Sequence, residues 1–337
     1  MRQLTGLDAT FLHMESPTTF GHVAGLALYN RPSPDFDPYK VVYERFEALA
    51  GRVGPLHQKL RNVPLGLDHP YWVADENFDL EYHVRHLGLA PPGSLEQLTE
   101  QAARIFGRQL DRSRPLWEVY VIEGLSDGRW ALITKFHHSS IDGGAGVVLL
   151  NMFTETTPDA QFEPVEASIP EERAPSEMEM LRTAIGKIAT DPVKQVRLQL
   201  RVAQSVADSF GLTSASRIAD SVRNAVRSAT KRPDTSRPTA AERVRIPITP
   251  APATPWNRTI TAHRRIAMRS APLDTLKKLK TASGGTVNDI VMAICAGALR
   301  TYLDDKGILP DKPLRAMVPV SFRTGEEEVP WTNMVSG

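Results

Sequence analysis

The sequence predicts an α/β fold built as two blocks of mixed strands and helices, joined by a long connection of different composition. Three observations carry that reading. Strand-like and helix-like apolar spacings follow one another through residues 1–155, and again from Trp256 onward. Between the blocks the composition turns abruptly acidic, then basic, then proline-rich. A chain of 337 residues is long enough for two domains, or for one large unit with a sizeable core.

In chain order, VAGLALY (23–29) alternates as a strand. PYKVVYERFEALAGRV (38–53) spaces its apolar residues as a helix and ends near Gly51 and Gly54. SLEQLTEQAARIFGRQL (94–110) is a second amphipathic helix, with Ser94 at the N-cap and Gln97 three residues on, as in a capping box. PLWEVYVIEGL (115–125) and RWALITKFH (129–137) flank the turn Ser126-Asp127-Gly128 and read as a hairpin. Aromatic and branched residues dominate its second arm. GGAGVVLLNMF then reads as a helix.

The connection spans 156–255. Residues 155–179 hold eight acidic side chains and one arginine, and read as an exposed linker. From Arg182 to Arg232 ten Lys and Arg stand against three Asp. Within that stretch Val196, Leu200, Ala203, Ala207 and Phe210 keep a 4-3-4-3 spacing, the pattern of a basic amphipathic helix. Six prolines in 229–255 mark a second linker. The last block, 256–337, offers a strand in TITAHRRIAM (259–268) and a helix in SAPLDTLKKLKTASG (270–284). A long helix capped by Thr286 or Asn288 and a strand in LRAMVPVSFR (314–323) follow. No closing helix follows NMVSG, so this block reads as unfinished.

A formal net charge of +1 gives no global field to recruit nucleic acid. The single cysteine, Cys295, lies in the apolar run IVMAICAGAL and reads as a buried thiol, which fits a reducing cytoplasm. The N-terminus lacks the apolar core of a secretory signal. No apolar stretch approaches the ~20 residues that cross a bilayer, so any lipid is met at the surface. A basic amphipathic stretch at 182–232 suits an anionic membrane interface or lipid droplet, or covers the core with a solvated basic face.

The chemistry concentrates in HHSSIDGGAG (137–146). Three readings of His137, His138 and Asp142 stand side by side. The rings could simply pack. They could join the carboxylate on a metal, although neighbours on a strand point to opposite faces and cannot easily converge on one ion. Or one histidine at a strand's end could serve as a general base, since imidazole accepts and returns a proton near neutrality. Asp142 would then brace the turn at the start of the next helix, and Gly143 and Gly144 would let a substrate approach.

HHxxxDG is the signature of the chloramphenicol acetyltransferase-like superfamily. More narrowly, the chain resembles the bacterial wax ester synthase/diacylglycerol acyltransferase family. The residues that carry the resemblance are LTGLDATFLHMES (4–16), PLWEVYVIEGL (115–125), HHSSIDGGAG (137–146), VNDIVMA (287–293), VPVSFR (318–323) and NMVSG (333–337). The resemblance implies a two-subdomain sandwich of mixed sheets and helices whose second subdomain is incomplete here, with a missing C-terminal portion. It makes His138 the base, His137 its supporting neighbour and Asp142 a structural carboxylate that pairs with an arginine. Pro115, Leu116 and Trp117 match its PLW motif, and Asn288 and Asp289 its ND motif. These positions line the substrate on that reading, while core packing and helix capping are the plainer roles. Arg323 would pair with Asp142 or meet a coenzyme phosphate.

The implied reaction is direct acyl transfer from a long-chain acyl-CoA to diacylglycerol or a fatty alcohol, without a metal or a resident cofactor. A covalent acyl-enzyme is disfavoured, because Cys295 lies in a helix-like apolar run and no GxSxG elbow is present. Ser139 and Ser140 adjoin the histidines, but adjacency in sequence does not make a nucleophile. Two rival readings are an acyltransferase that takes thioesters from carrier proteins and a non-catalytic protein that binds lipid or coats lipid droplets. The expected location is cytoplasmic, with peripheral contact at the inner membrane or lipid droplets.

Overall fold

The computed structural model describes residues 2–141, 143–155, 157, 162, 173–190, 251–316, 320–321 and 335–336. Asp142, Arg323, residues 158–161 and 163–172 of the acidic linker, residues 191–232 of the basic stretch and the proline-rich connection up to 250 lie outside the described residues. So do most of the motifs at 318–323 and 333–337.

The N-terminal block is organised by a four-stranded mixed sheet. Its strands are β2 (His22–Tyr29), β5 (Val84–Gly88), β6 (Trp117–Glu123) and β7 (Trp130–His137), in the order β2-β7-β6-β5. β6 and β7 are the expected hairpin, antiparallel with Tyr120 opposite Ile133, while β5 runs parallel to β6. β6 is buried from Trp117 to Ile122, as suits a strand with neighbours on both edges and layers on both faces. Alternation along the strands sorts the side chains. Trp117, Val119, Val121, Trp130 and Leu132 pack on one face, and Tyr120, Ile122, Ala131 and Ile133 on the other.

Helix α2 (Pro38–Ala50) covers the first face. Asp37 caps it by accepting from the Lys40 amide, and Pro38 opens its first turn. Val42, Phe46 and Leu49 point inward at helical spacing. Helix α6 (Gly143–Phe153) lies on the same face through Ala145, Leu149 and Phe153. Two single-turn helices, α3 (Gly54–His57) and α4 (Leu80–His83), fill its margins. The second face is covered by α5 (Leu95–Phe106), whose predicted capping box forms as expected between Ser94 and Gln97.

A second, three-stranded sheet joins β1 (Arg2–Gln3), β3 (Gln58–Arg61) and β4 (Tyr71–Ala74) in the order β1-β4-β3. On one side Trp72 packs with Leu4, Ala9 and Leu12 of α1 (Gly6–His13) and its approach. On the other, Tyr71 and Val73 pack with Met180 and Ala184 of α7 (Glu177–Thr190). The first turns of the basic stretch therefore continue a helix that closes this sheet.

In the C-terminal block, residues 259–268 do not form the expected strand. They carry no strand, and Ile266 and Met268 pack against the α5 face without a ladder. Arg264 fastens them by donating to the Thr18 carbonyl at 2.7 Å, its guanidinium lying over the Phe20 ring. Helix α8 (Leu273–Ser283) ends at Gly284, whose φ of 69° is the left-handed turn glycine favours. Helix α9 (Val287–Asp305) starts at Thr286, one of the two expected caps. The strand expected at 314–323 is represented among the described residues by β8 (Val320–Ser321), paired with β9 (Val335–Ser336). Cys295 is exposed, contrary to the buried thiol expected of its apolar run. The reason is that α9 buries only Leu303. No single helix among the described residues is long and apolar enough to cross a membrane.

Candidate active site

The site forms where β7 ends. His137 is the last residue of that strand and His138 the first beyond it, so the pleat separates rings that are adjacent in sequence. His137 is 1% exposed, whereas His138 is only partly buried. The His138 ring stacks on Phe11 of α1, with centroids 4.7 Å apart and planes 13° from parallel. Its backbone N–H donates to the Gly21 carbonyl at 2.8 Å, which ties the end of β7 to the start of β2.

The turn that follows is sealed. The Ser139 amide donates to His137 Nδ1 at 3.0 Å, and the Ser139 hydroxyl lies 2.7 Å from the same nitrogen. Ser140 donates to the His137 carbonyl through both its amide, at 3.0 Å, and its hydroxyl, at 2.8 Å. Both serines are buried, and the His137 ring and carbonyl account for their hydroxyls. Because an amide can only donate, Nδ1 of His137 is an acceptor. A ring proton therefore sits on Nε2.

What that proton faces has no counterpart in the motif. Glu15 Oε1 lies 3.3 Å from His137 Nε2, close but off the line of a full hydrogen bond. The same oxygen accepts from the Gly21 amide at 2.8 Å. The other oxygen, Oε2, receives Arg112 through Nε at 3.1 Å and Nη2 at 2.5 Å. Burial alone would push the Glu15 carboxyl up. The neighbouring His137 ring and the hydrogen bonds from the Gly21 amide and Arg112 outweigh it and hold the group down, at about 2. Sequence reasoning missed Glu15 and Arg112. The one available signal was the segment LDATFLHMES, which ends in Glu15-Ser16 and carries Phe11 as well.

Behind His137 on the α5 face sits a second polar cluster that the sequence did not disclose. Lys135, fully buried, donates to Glu118 at 3.2 Å and to the Arg108 carbonyl at 2.6 Å. The Tyr120 hydroxyl donates to Glu118 at 2.9 Å. Burial, then the Glu118 charge, pushes the Tyr120 phenol up, and burial pulls the Lys135 ammonium down. His22 faces the same side. Burial, then the Lys135 charge, lowers its imidazole to about 4.

The other expected positions are placed as follows. Pro115 precedes β6. Leu116 and Trp117 are wholly buried, and Trp117 donates its indole N–H to the Leu56 carbonyl at 3.0 Å while stacking on Phe46 and His83. Gly143 opens α6. Asn288 and Asp289 stand in the exposed first turn of α9. There Asp289 accepts from the Thr286 amide at 2.7 Å as part of a capping box. The structure thus brings together His137, His138 and the LDATFLHMES segment.

The profile of the wax ester synthase/diacylglycerol acyltransferase catalytic domain matches residues 4–291. The chain belongs to this family. A candidate diacylglycerol O-acyltransferase of Mycobacterium tuberculosis is 36% identical over 329 residues, covering 97% of this chain and 66% of the relative. A second protein of that organism, named "probable diacylglycerol O-acyltransferase", is 35% identical over 337 residues with the same coverage. Among solved structures, a wax ester synthase/diacylglycerol acyltransferase from Marinobacter aquaeolei superposes with a TM-score of 0.59 at 29% identity, covering 93% of this chain and 63% of that one. The chain therefore spans about two thirds of the length of these relatives. Family membership supports the α/β class of mixed sheets and helices read from the sequence, and it places Phe11, Glu15 and both histidines within the matched catalytic domain.

Proposed function

We propose that this family member acts as an acyl-CoA-dependent O-acyltransferase that makes triacylglycerol, or a wax ester when the acceptor is a long-chain alcohol. His138 is the general base. The observation that carries the reading is the inequality of the two rings: His137 is buried with Nδ1 held by Ser139 and Nε2 beside Glu15, while His138 is partly exposed at a strand end. His138 takes the proton from the acceptor hydroxyl as that oxygen attacks the thioester carbonyl. The C–S bond breaks, the ester C–O bond is complete, and the imidazolium returns its proton to the departing thiolate. General-base assistance supplies on the order of 10²–10⁴-fold. Orientation of the two substrates and stabilisation of the oxyanion supply the remainder. The names of the mycobacterial and Marinobacter relatives support diacylglycerol and fatty alcohols as acceptors.

The test compares this chain with its His138→Ala form for thiol release from palmitoyl-CoA over diacylglycerol micelles, with analysis of the lipid product. Acceptor-dependent release and triacylglycerol formation, both lost in the variant, are expected. Equal release by the two proteins would remove His138 as the base. Thiol release without a new ester would point to hydrolysis.

A further inference from the structure

We infer that Glu15 is a positioning residue for His138, and that the Glu15–Arg112 pair acts, together with the Ser139 contacts, by holding the tautomer of His137, and by itself fixes the floor of the turn that carries the base. This rests on the reading of His138 as the base, but the clamp itself is a property of the fold.

The argument is one of shared atoms. Glu15 Oε1 serves two groups. One is the Gly21 amide, whose own residue offers its carbonyl to the His138 N–H at 2.8 Å. The other is the Nε2 side of His137. The carboxylate thereby holds the residue that anchors His138 and lies beside the neighbouring ring. Arg112 fixes the carboxylate from behind with two donors on Oε2, and its Nη2 also donates to the Leu12 carbonyl at 2.7 Å, so α1 is drawn into the same knot. Phe11, one turn earlier on α1, stacks on His138. One segment thus grips both histidines, through an aromatic face and a carboxylate.

The grip is tight in a way that can be probed. A Cβ built on Gly21 would lie 2.6 Å from His137 Nε2 and 2.9 Å from the Phe11 carbonyl, so no side chain fits there against the ring. The charge also has a direction. With Nδ1 held as an acceptor by the Ser139 amide, the Nε2 proton faces the carboxylate. Removing the negative charge leaves the Ser139 contacts alone to hold that tautomer.

Two readouts test the inference on the full chain. The first needs no turnover: ¹⁵N spectra of the histidine side chains, assigned with a His137→Gln control. They should show His137 protonated at Nε2 in the parent, and shifted or exchanging between tautomers in Glu15→Gln. The second is the split between kcat and KM with palmitoyl-CoA. Glu15→Gln should lower kcat on the order of 10²-fold with KM nearly unchanged, because a displacement of the base of about 1 Å costs that much. Gly21→Ala, which keeps the charge and pushes the ring, should reproduce the loss in kcat. Glu15→Asp should recover part of it. A parent spectrum with His137 protonated at Nδ1, or one that Glu15→Gln leaves unmoved, overturns the clamp whatever the activity. An intact ring response with unchanged kcat overturns only the link to His138. Failure of His138→Ala to reduce turnover would instead strike the proposed function.

Discussion

At the residue scale the molecule separates two chemically identical side chains by the company each keeps. His137 is locked by Ser139, Ser140 and Glu15, while the partly buried His138 ring stacks on Phe11. A neighbour of this pair reports on stability. The folded state holds His22 near 4, below its ordinary 6.5, because burial and then Lys135 oppose its charge. Above about pH 6.5 neither state carries the proton, and the residue costs nothing. As pH falls through the window from 6.5 to 4 the unfolded chain takes up a proton that the folded chain refuses, so stability declines. Urea midpoints at pH 7.5 and 4.5 should therefore converge in His22→Gln relative to the parent, and a parent insensitive to pH across that window would contradict the assignment. The histidines of HHSSIDGG were legible because they adjoin one another. Glu15 was not, because nothing local in Met14-Glu15-Ser16 shows that Gly21, Arg112 and His137 will close around it.

At the element scale, legibility followed length and caps. α5 announced itself through Ser94 and Gln97 and through the inward spacing of Leu98, Ala102 and Ile105. Removing the cap with Ser94→Ala should cost about 1 kcal/mol, read as a shift in the denaturation midpoint with an unchanged slope. A loss below ~0.3 kcal/mol would mean that packing alone holds the helix. The hairpin β6-β7 was equally plain, since its turn residues and branched strands agree. The stretch between Gly54 and Gly88 was opaque. It holds α3, β3, β4 and α4, each of four residues, too few for any period to show. Residues 259–268 failed for another reason. Their apolar alternation is real and turns Ile266 and Met268 inward, but alternation describes a half-buried surface and does not by itself supply a strand partner.

At the scale of the whole molecule, distant segments are tied by few contacts. α7 reaches the small sheet through Met180 and Ala184, and Lys187 donates to Asp68 at 3.0 Å. Burial would raise the Asp68 carboxyl, but bonds from Gln3, Lys187 and the His69 amide hold it at about 2. A carboxyl depressed in the folded state contributes stability that is present above its unfolded value near 4 and lost as pH falls toward 2. Asp68→Asn should accelerate amide exchange across 177–190 while leaving β6 and β7 protected; unchanged exchange would show that the apolar contacts suffice. The C-terminal block stands apart in another respect. The central run of α9, residues 290–299, is apolar on all sides, the composition of a core helix, yet Val291, Ile294 and Leu299 there and Tyr302 beyond it are exposed. Composition alone therefore named its chemistry, while burial depends on neighbours it does not have among the described residues.

The placement of the two histidines comes down to parity. They are the same side chain, so which one is sealed and which is open depends on counting from the ladder, where His22 faces His137 across β2 and β7. Deleting one residue inside β7 would exchange odd for even, turn Lys135 out of its cluster, and move the second imidazole into the sealed position. Chemistry that depends on a count tolerates exchange of many side chains along the strand, yet it does not tolerate a change in their number. Insertions and deletions should accordingly be harmful throughout β7, and far less so at the Asp127-Gly128 turn, where the count restarts.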